Sequence, residues 1–152
     1  MTALTLIEAG EERLSDIQPL WEGLNRLHAE ATPHFKSHFE SYTFATRKTY
    51  LETKAQTGRL RIFLAMDEDT PVGYCVTSLC SGHGEIESIF IMDAYRGRKM
   101  GDTLMRAALA WLDAHGAETK SVNVVYGNEV AHPFYAKYGF LPRSTTLSQR
   151  QP

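Results

Sequence analysis

The spacing of hydrophobic and polar positions changes along this chain, and each change marks an element. From Arg13 to Ala31 the apolar face runs through Leu14, Ile17, Leu20, Trp21, Leu24, Leu27, His28 and Ala31, the three-and-four spacing of an amphipathic helix. Pro19 suits its first turn, and "TLIEA" (residues 5–9) reads as a short strand ahead of it. "TPHFKSHFESY" interrupts the period with Pro33 as breaker. A second helix is predicted from about Thr46 to Thr57, closed by Gly58.

The period then shortens. "RLRIFLAM" and "PVGYCVTSLC" are β-rich runs joined by the turn composition "DEDTP", which predicts a hairpin. After the turn "SGHG" comes "EIESIFIMD", where strict alternation puts Glu85 and Glu87 on one face and Ile86, Ser88 and Phe90 on the other. The next helix carries Met100, Leu104, Ala108, Trp111 and Leu112 on one stripe and ends at Gly116. "KSVNVVYG" reads as a buried strand, "EVAHPFYAKYG" as a short helix capped by Gly139, and "FLPRSTTLSQ" as a final strand. The order β-α-α-β-β-β-α-β-α-β predicts an α/β protein, a mixed sheet with helices on its faces. Its strand–helix–strand unit from Glu85 to Tyr126 should be a right-handed parallel crossover.

Composition narrows the function classes. The 152 residues, without repeats or linkers, predict a single domain over 1–152. Sixteen Lys and Arg against 18 Asp and Glu give a formal charge of −2, which argues against nucleic acid held by bulk positive field. No run approaches the roughly 20 apolar residues of a membrane span, and "MTALTLIEAGEERL" lacks the pattern of a signal peptide. Cys75 and Cys80, five apart on one strand, point to opposite faces and are poorly placed to bond each other, so a reducing cytoplasmic setting is expected. Neither has an evident activating neighbour for an acyl-cysteine relay. His28, His34 and His38 lack accompanying ligands at metal spacing, so no metal is expected. Trp21 and Trp111 each sit on a helical apolar stripe and read as core.

The chemistry concentrates in "YRGRKMGDTLM" (residues 95–105), where a strand hands over to a helix. The first turn of a helix presents unpaired N–H groups and about half a positive charge, a pairing that suits phosphate. Gly97 and Gly101 open the backbone to close approach, and Arg96, Arg98 and Lys99 add charge. Neither G-x-x-x-x-G-K-[ST] nor a strand-following G-x-G-x-x-G is present. The alternative is a solvated basic turn whose glycines only shape the chain.

Two segments here resemble the Gcn5-related N-acetyltransferase (GNAT) family. Its phosphate loop, [Q/R]-x-x-G-x-[G/A], is matched by Arg96-Gly97-Arg98-Lys99-Met100-Gly101, and its later Asn and A-x-x-[LF]-Y-x-[KR]-x-G-F segment by Asn128 and "AHPFYAKYGF". Lys99 departs from the pattern, standing at the usual loop glycine; Pro133 fits only within the first turn of its helix. The short tail after Gly139 leaves the family's last strand truncated or supplied by a partner chain.

The resemblance implies strands four and five splayed around acetyl-CoA, and acetyl transfer to a primary amine by direct attack in a ternary complex. It implies cofactor contacts from Arg96, Gly97, Arg98, Lys99, Met100, Gly101, Asp102 and Thr103, from the backbone of Phe90, Ile91 and Met92, and from Asn128. It makes Tyr135 the acid that protonates the thiolate, and Glu87 or Glu85 the base, with Glu87 favoured. For each there is a plainer role: solvated strand carboxylates, a packed aromatic (as Tyr138 reads), and a helix-capping asparagine. The acceptor pocket should involve "HAEATPHFKSHFESY", which contains Glu30 and Glu40. Peptide N-termini, lysine side chains, polyamines and aminoglycosides remain open as acceptors, and a homodimer is a family-level expectation. Two other readings stand beside the enzyme: a non-catalytic acyl-CoA-binding or sensor module on the same fold, and a purely structural interaction domain without CoA affinity.

Overall fold

The computed structural model of the chain describes residues 3–151. Five strands, β1 (Thr5–Ala9), β2 (Arg59–Asp67), β3 (Thr70–Cys80), β4 (His83–Ile91) and β5 (Thr119–Val122), form one sheet in the order β1-β2-β3-β4-β5. Pairs are antiparallel except β4–β5, which is parallel and is linked by the crossover through α4 (Met100–Ala114). The β3–β4 turn takes Ser81 and Gly82 through positive φ (50° and 79°), the twist-compatible solution for a two-residue hairpin loop.

The opposite sheet faces bury different helices. One receives α1 (Gln18–Ala31) and α3 (Phe44–Thr57), with Leu20, Trp21, Phe44 and Leu51 against Ile62, Leu64, Tyr74 and Val76. The other receives α4, whose Leu104, Met105, Ala108 and Leu112 are buried against Phe63, Cys75 and Ile86. Each large side chain so removed from water contributes about 1.5–3 kcal/mol. Trp21 is core, whereas Trp111 is only half-buried, stacked on His115 at 4.5 Å between ring centres.

Several expectations about the elements are corrected. The first helical period divides into a 3₁₀ turn over Glu11–Ile17 and α1, because Pro19 sits in the first turn of α1 and resets the hydrogen bonding there. The stretch read as a break contains a short helix, α2 (Lys36–Ser41). The predicted final strand is absent: residues 140–151 carry no strand or helix and, after Phe140, are exposed. Pro142 lacks a ladder donor, and β5 offers only four paired residues as a template. Residues 123–126 of the predicted buried strand also leave the sheet. Pro133 does fall in the first turn of its helix, α5 (His132–Ala136).

Candidate active site

The site is made by a ladder that stops early. β4 and β5 pair from His83–Thr119 to Ile86–Val122 and then diverge, while β4 continues along β3 to Ile91. The divergence coincides with a bulge: Val76 pairs with Ser88 and Thr77 with Ile86, leaving Glu87 without a partner. Arg47 of α3 covers that point, donating from Nη2 to the Glu87 carbonyl at 2.9 Å. The extra residue defeats the strict alternation expected from sequence. Glu85 and Glu87 do share the α3 face, where Lys54 reaches both; Ile86 packs on the α4 side. After the bulge, however, Ser88 meets Tyr74 on the α1/α3 side at 2.8 Å, and Phe90 packs there too.

The bulge also decides which backbone groups face the gap. Met92 donates its N–H to Val72 at 2.9 Å. In an antiparallel ladder the inward groups alternate, so Phe90 and Met92 direct theirs at β3. Ile89 and Ile91 direct theirs the other way, where β5 no longer answers; the Ile91 carbonyl accepts instead from Arg96 Nε at 3.0 Å. The result is a cleft of about 470 Å³. Leu24, Leu27 and His28 of α1 form one wall, residues 122–125 and Asn128 another, and Phe134 and Tyr135 of α5 a third. Gly127 closes the corner: at φ +104° a Cβ there would lie 2.2 Å from the Ala31 carbonyl, so only glycine lets this loop rest on the end of α1. Beside it, Tyr126 stacks on His34 at 6.3 Å.

Arg96 and Gly101 stand at the phosphate-loop end of the cleft. Arg96 is paired with Asp93 at 2.6 Å and lies 5.4 Å over the Phe90 ring. Gly97 (φ 78°) and Lys99 (φ 61°) turn the chain into α4. Lys99 thus occupies the left-handed conformation that explains the glycine usual there, at a cost of about 1–2 kcal/mol. At Gly101 a Cβ would meet Phe134 at 3.3 Å. The α4 N-terminus has no side-chain cap, so its first-turn N–H groups are available to an anion.

Of the residues singled out from sequence, Glu87, Phe90, Ile91, Arg96, Gly101, Asn128 and Tyr135 line the cleft. Glu85, Met92, Gly97, Arg98, Lys99, Met100, Asp102 and Thr103 are not among its lining residues. Arg98 sits 5.8 Å over the Tyr95 ring, whose hydroxyl donates to Asp67 at 2.6 Å. Met100 packs on the α4 core. Asp102 accepts from the Tyr138 hydroxyl and from Arg106, which lowers its pKa, and the Thr103 hydroxyl donates to the Lys99 carbonyl at 3.2 Å. Asn128 precedes a 3₁₀ turn but makes no side-chain cap bond. Tyr135 is largely buried beside Phe134; burial, then Cys75, pushes its hydroxyl up to about 12. It therefore keeps its proton at neutral pH. Cys75 is buried, which pushes its thiol up to about 12, the opposite of nucleophile activation.

Sequence reasoning missed the cations around the carboxylates. The Glu87 side chain is 1% exposed, accepts from Ser78 Oγ at 2.6 Å, and has Lys54 at 3.3 Å and Arg47 at 3.9 Å. Lys54 also reaches Glu85 at 3.5 Å. Burial opposes the Lys54 charge, but Glu87, Tyr50 and Glu85 outweigh it and hold the ammonium above its ordinary range. Arg47, Tyr50 and Lys54 recur at helical spacing on α3, and that polar stripe was the available signal. Among the described residues no cluster of three or more His, Cys, Asp or Glu is arranged to hold a metal, and no helix is long and apolar enough to cross a membrane.

A five-stranded mixed sheet with a parallel β4–β5 pair that parts around a cleft, opening onto a basic helix N-terminus, defines a class. The chain belongs to the acetyltransferase (GNAT) family, whose model matches residues 21–140. It is 31% identical over 81 residues, 53% of this chain and 54% of the relative, to a Bacillus subtilis protein named as a ribosomal protein bS18-alanine N-acetyltransferase. It is 41% identical over 59 residues, 37% of this chain, to a mycothiol acetyltransferase of Corynebacterium glutamicum. The match spans only 54% and 20% of those relatives' lengths. In fold it resembles a PaiA N-acetyltransferase from Thermoplasma acidophilum solved with coenzyme A, at TM-score 0.76 and 17% identity over 95% of this chain and 93% of that one. It also resembles the aminoglycoside N-acetyltransferase AAC(6')-Iy solved with CoA, at 0.68 and 16% over 99% and 96%.

Proposed function

We propose that the chain transfers the acetyl group of acetyl-CoA to a primary amine by direct attack. The carrying observation is the parting of β4 from β5 beyond Ile86–Val122, which leaves the outward backbone groups of Ile89 and Ile91 without a strand partner. The pantetheine arm of acetyl-CoA is an extended chain with amide groups that would pair there as a fifth strand would. This moves the cofactor-pairing role from Phe90 and Met92, whose groups face β3, to Ile89 beside Ile91. The pyrophosphate would meet the loop from Arg96 to Gly101 and the first turn of α4, reached by Thr103 and Asp102.

In the reaction, the nitrogen lone pair attacks the thioester carbonyl, the C–S bond breaks, the amine gives up a proton and the thiolate takes one. Tyr135, held protonated in the wall of the cleft, supplies the thiolate's proton. Glu87 receives the amine's proton, through water, with Glu85 as the alternative. The engagement of Glu87 by Lys54, Arg47 and Ser78 is the one feature that favours the non-catalytic acyl-CoA-binding reading, because these partners already occupy the carboxylate oxygens that a base would offer to the amine. A thiol-release assay with acetyl-CoA and an amine panel decides between them. Tyr135→Phe should lower turnover by about 100-fold while acetyl-CoA affinity stays within about twofold. Equal turnover in the variant removes Tyr135 from the mechanism, and no turnover in the parent with any amine supports the binding module. The amine acceptor, a cytoplasmic setting and a homodimer are parts of the same proposal.

A further inference from the structure

Granting the acetyl-CoA reading above, the acceptor end of the cleft has a distinctive electrostatic character. Of the side chains that line the cleft, only His28, Glu87 and Arg96 are ionisable in the ordinary acid–base range or permanently charged. Arg96 stands at the phosphate-loop end and is already paired with Asp93 at 2.6 Å. Glu87 is the single carboxylate, and its side chain is 1% exposed. Together with Glu85 it faces Arg47 and Lys54, so this group of two anions and two cations is formally neutral. Glu30 and Glu40, the carboxylates of the segment expected to select the acceptor, are exposed and do not line the cleft. Leu24 and Leu27 supply apolar wall beside His28.

Of the remaining polar side chains, Ser88 is bonded to Tyr74 and Asn123 to Glu85, which leaves His28 on the α1 wall and Asn128 across the cleft. The His28 ring packs beside Phe39 at 5.7 Å between centres. Burial, and then the Arg47 charge, lower its pKa to about 4, so at neutral pH it offers a neutral imidazole with a lone pair to accept a hydrogen bond. One ammonium entering along the α1 wall meets the His28 acceptor and no unpaired carboxylate. A second or third ammonium on the same molecule would lose its water without gaining a carboxylate, which is unfavourable.

From the pairing of Glu87, the placement of His28 and the apolar α1 wall, we infer that the acceptor is a monoamine: one primary amine on an uncharged, largely apolar scaffold, docked with its nitrogen against His28. Polyamines and aminoglycosides are excluded as good substrates on the same ground.

The test compares leucinamide and phenethylamine with spermidine and kanamycin in the thiol-release assay, for the parent, His28→Ala and His28→Gln, with acetyl-CoA affinity measured on each by calorimetry. The monoamines should exceed the polycations in kcat/KM by about tenfold or more. His28→Ala should raise the monoamine KM by about tenfold, the effect of losing one hydrogen bond to a charged group. His28→Gln, which retains an acceptor oxygen, should recover part of it, and acetyl-CoA affinity should hold in both. Preference for the polycations, an unchanged KM in His28→Ala, or acetyl-CoA binding without acetylation of any of the four amines overturns the inference and leaves the cofactor reading standing. Absence of acetyl-CoA binding in the parent overturns both.

Discussion

His28 makes the fold sensitive to acid in a way that a single substitution isolates. Its pKa falls from the ordinary 6.5 to about 4 because burial and Arg47 both oppose the imidazolium. Between these values the unfolded chain binds a proton that the folded chain refuses, so protonation favours unfolding. Stability is complete above about 6.5, declines as pH falls toward about 4, and is flat with respect to this group below that. At about 1.4 kcal/mol per tenfold, the drop corresponds to roughly 3 kcal/mol. For a chain of this size that is on the order of 6–12 °C in Tm. Carboxylates also titrate in this window, so the informative quantity is the difference between the parent and His28→Gln, which has no titrating ring. Urea unfolding at pH 7, 6, 5 and 4 should show the parent losing about 3 kcal/mol more than the variant across the series. Parallel pH profiles, or a His28 imidazole titrating near 6.5 by NMR, would refute the reasoning and with it the neutral acceptor assigned to the cleft.

Three further outcomes follow from the geometry. Gly58→Ala should destabilise by several kcal/mol, on the order of 3 or more, because a Cβ there would lie 2.3 Å from the Leu79 carbonyl, a backbone atom with no easy retreat; urea unfolding at pH 7 reads this directly. Lys54→Met should cost about 2 kcal/mol, the buried-pair penalty reduced for a lysine side chain 28% exposed, and Lys54→Met with Glu87→Gln should cost less than the single change. Lys99→Gly should raise Tm by about 2 °C, since relief of the left-handed strain outweighs the added freedom of the unfolded chain; a lowered Tm would contradict the strain.

The elements most legible in the sequence were those with long, self-consistent patterns. The α4 stripe from Met100 to Leu112, the β2–β3 hairpin around "DEDTP" and the Arg96 to Gly101 turn all stand where period and turn chemistry put them. What escaped depended on tertiary context. The bulge at Glu87 has no glycine to announce it; it is fixed by pairing with β3 and by Arg47, 40 residues away. It reverses the predicted faces of Ser88 and Phe90, and it shifts the outward backbone groups from Phe90 and Met92 to Ile89 and Ile91. The six residues of α2 are too few to show a helical period. The segment "FLPRSTTLSQ" reads as a strand, but a strand requires a neighbour, and β5 ends at Val122. Within the site, Tyr135, Arg96 and Gly101 were readable from local motif spacing. The Lys54, Arg47 and Ser78 partners of Glu87 were not, because three separate elements bring them together.

An acyl-CoA site in the gap between β4 and β5, with the turn leading into α4 as its phosphate end, makes a direct demand on binding. Calorimetric titration of the protein with acetyl-CoA, against pantetheine lacking the phosphates and against Gly101→Val, tests it most directly. Acetyl-CoA should bind saturably, pantetheine much more weakly, and Gly101→Val should lose about tenfold or more in affinity, because the added side chain crowds Phe134 and the backbone approach. Absence of binding at about millimolar cofactor, or equal affinity for the phosphate-free arm, would contradict that site and return the basic turn to a solvated bend in the chain.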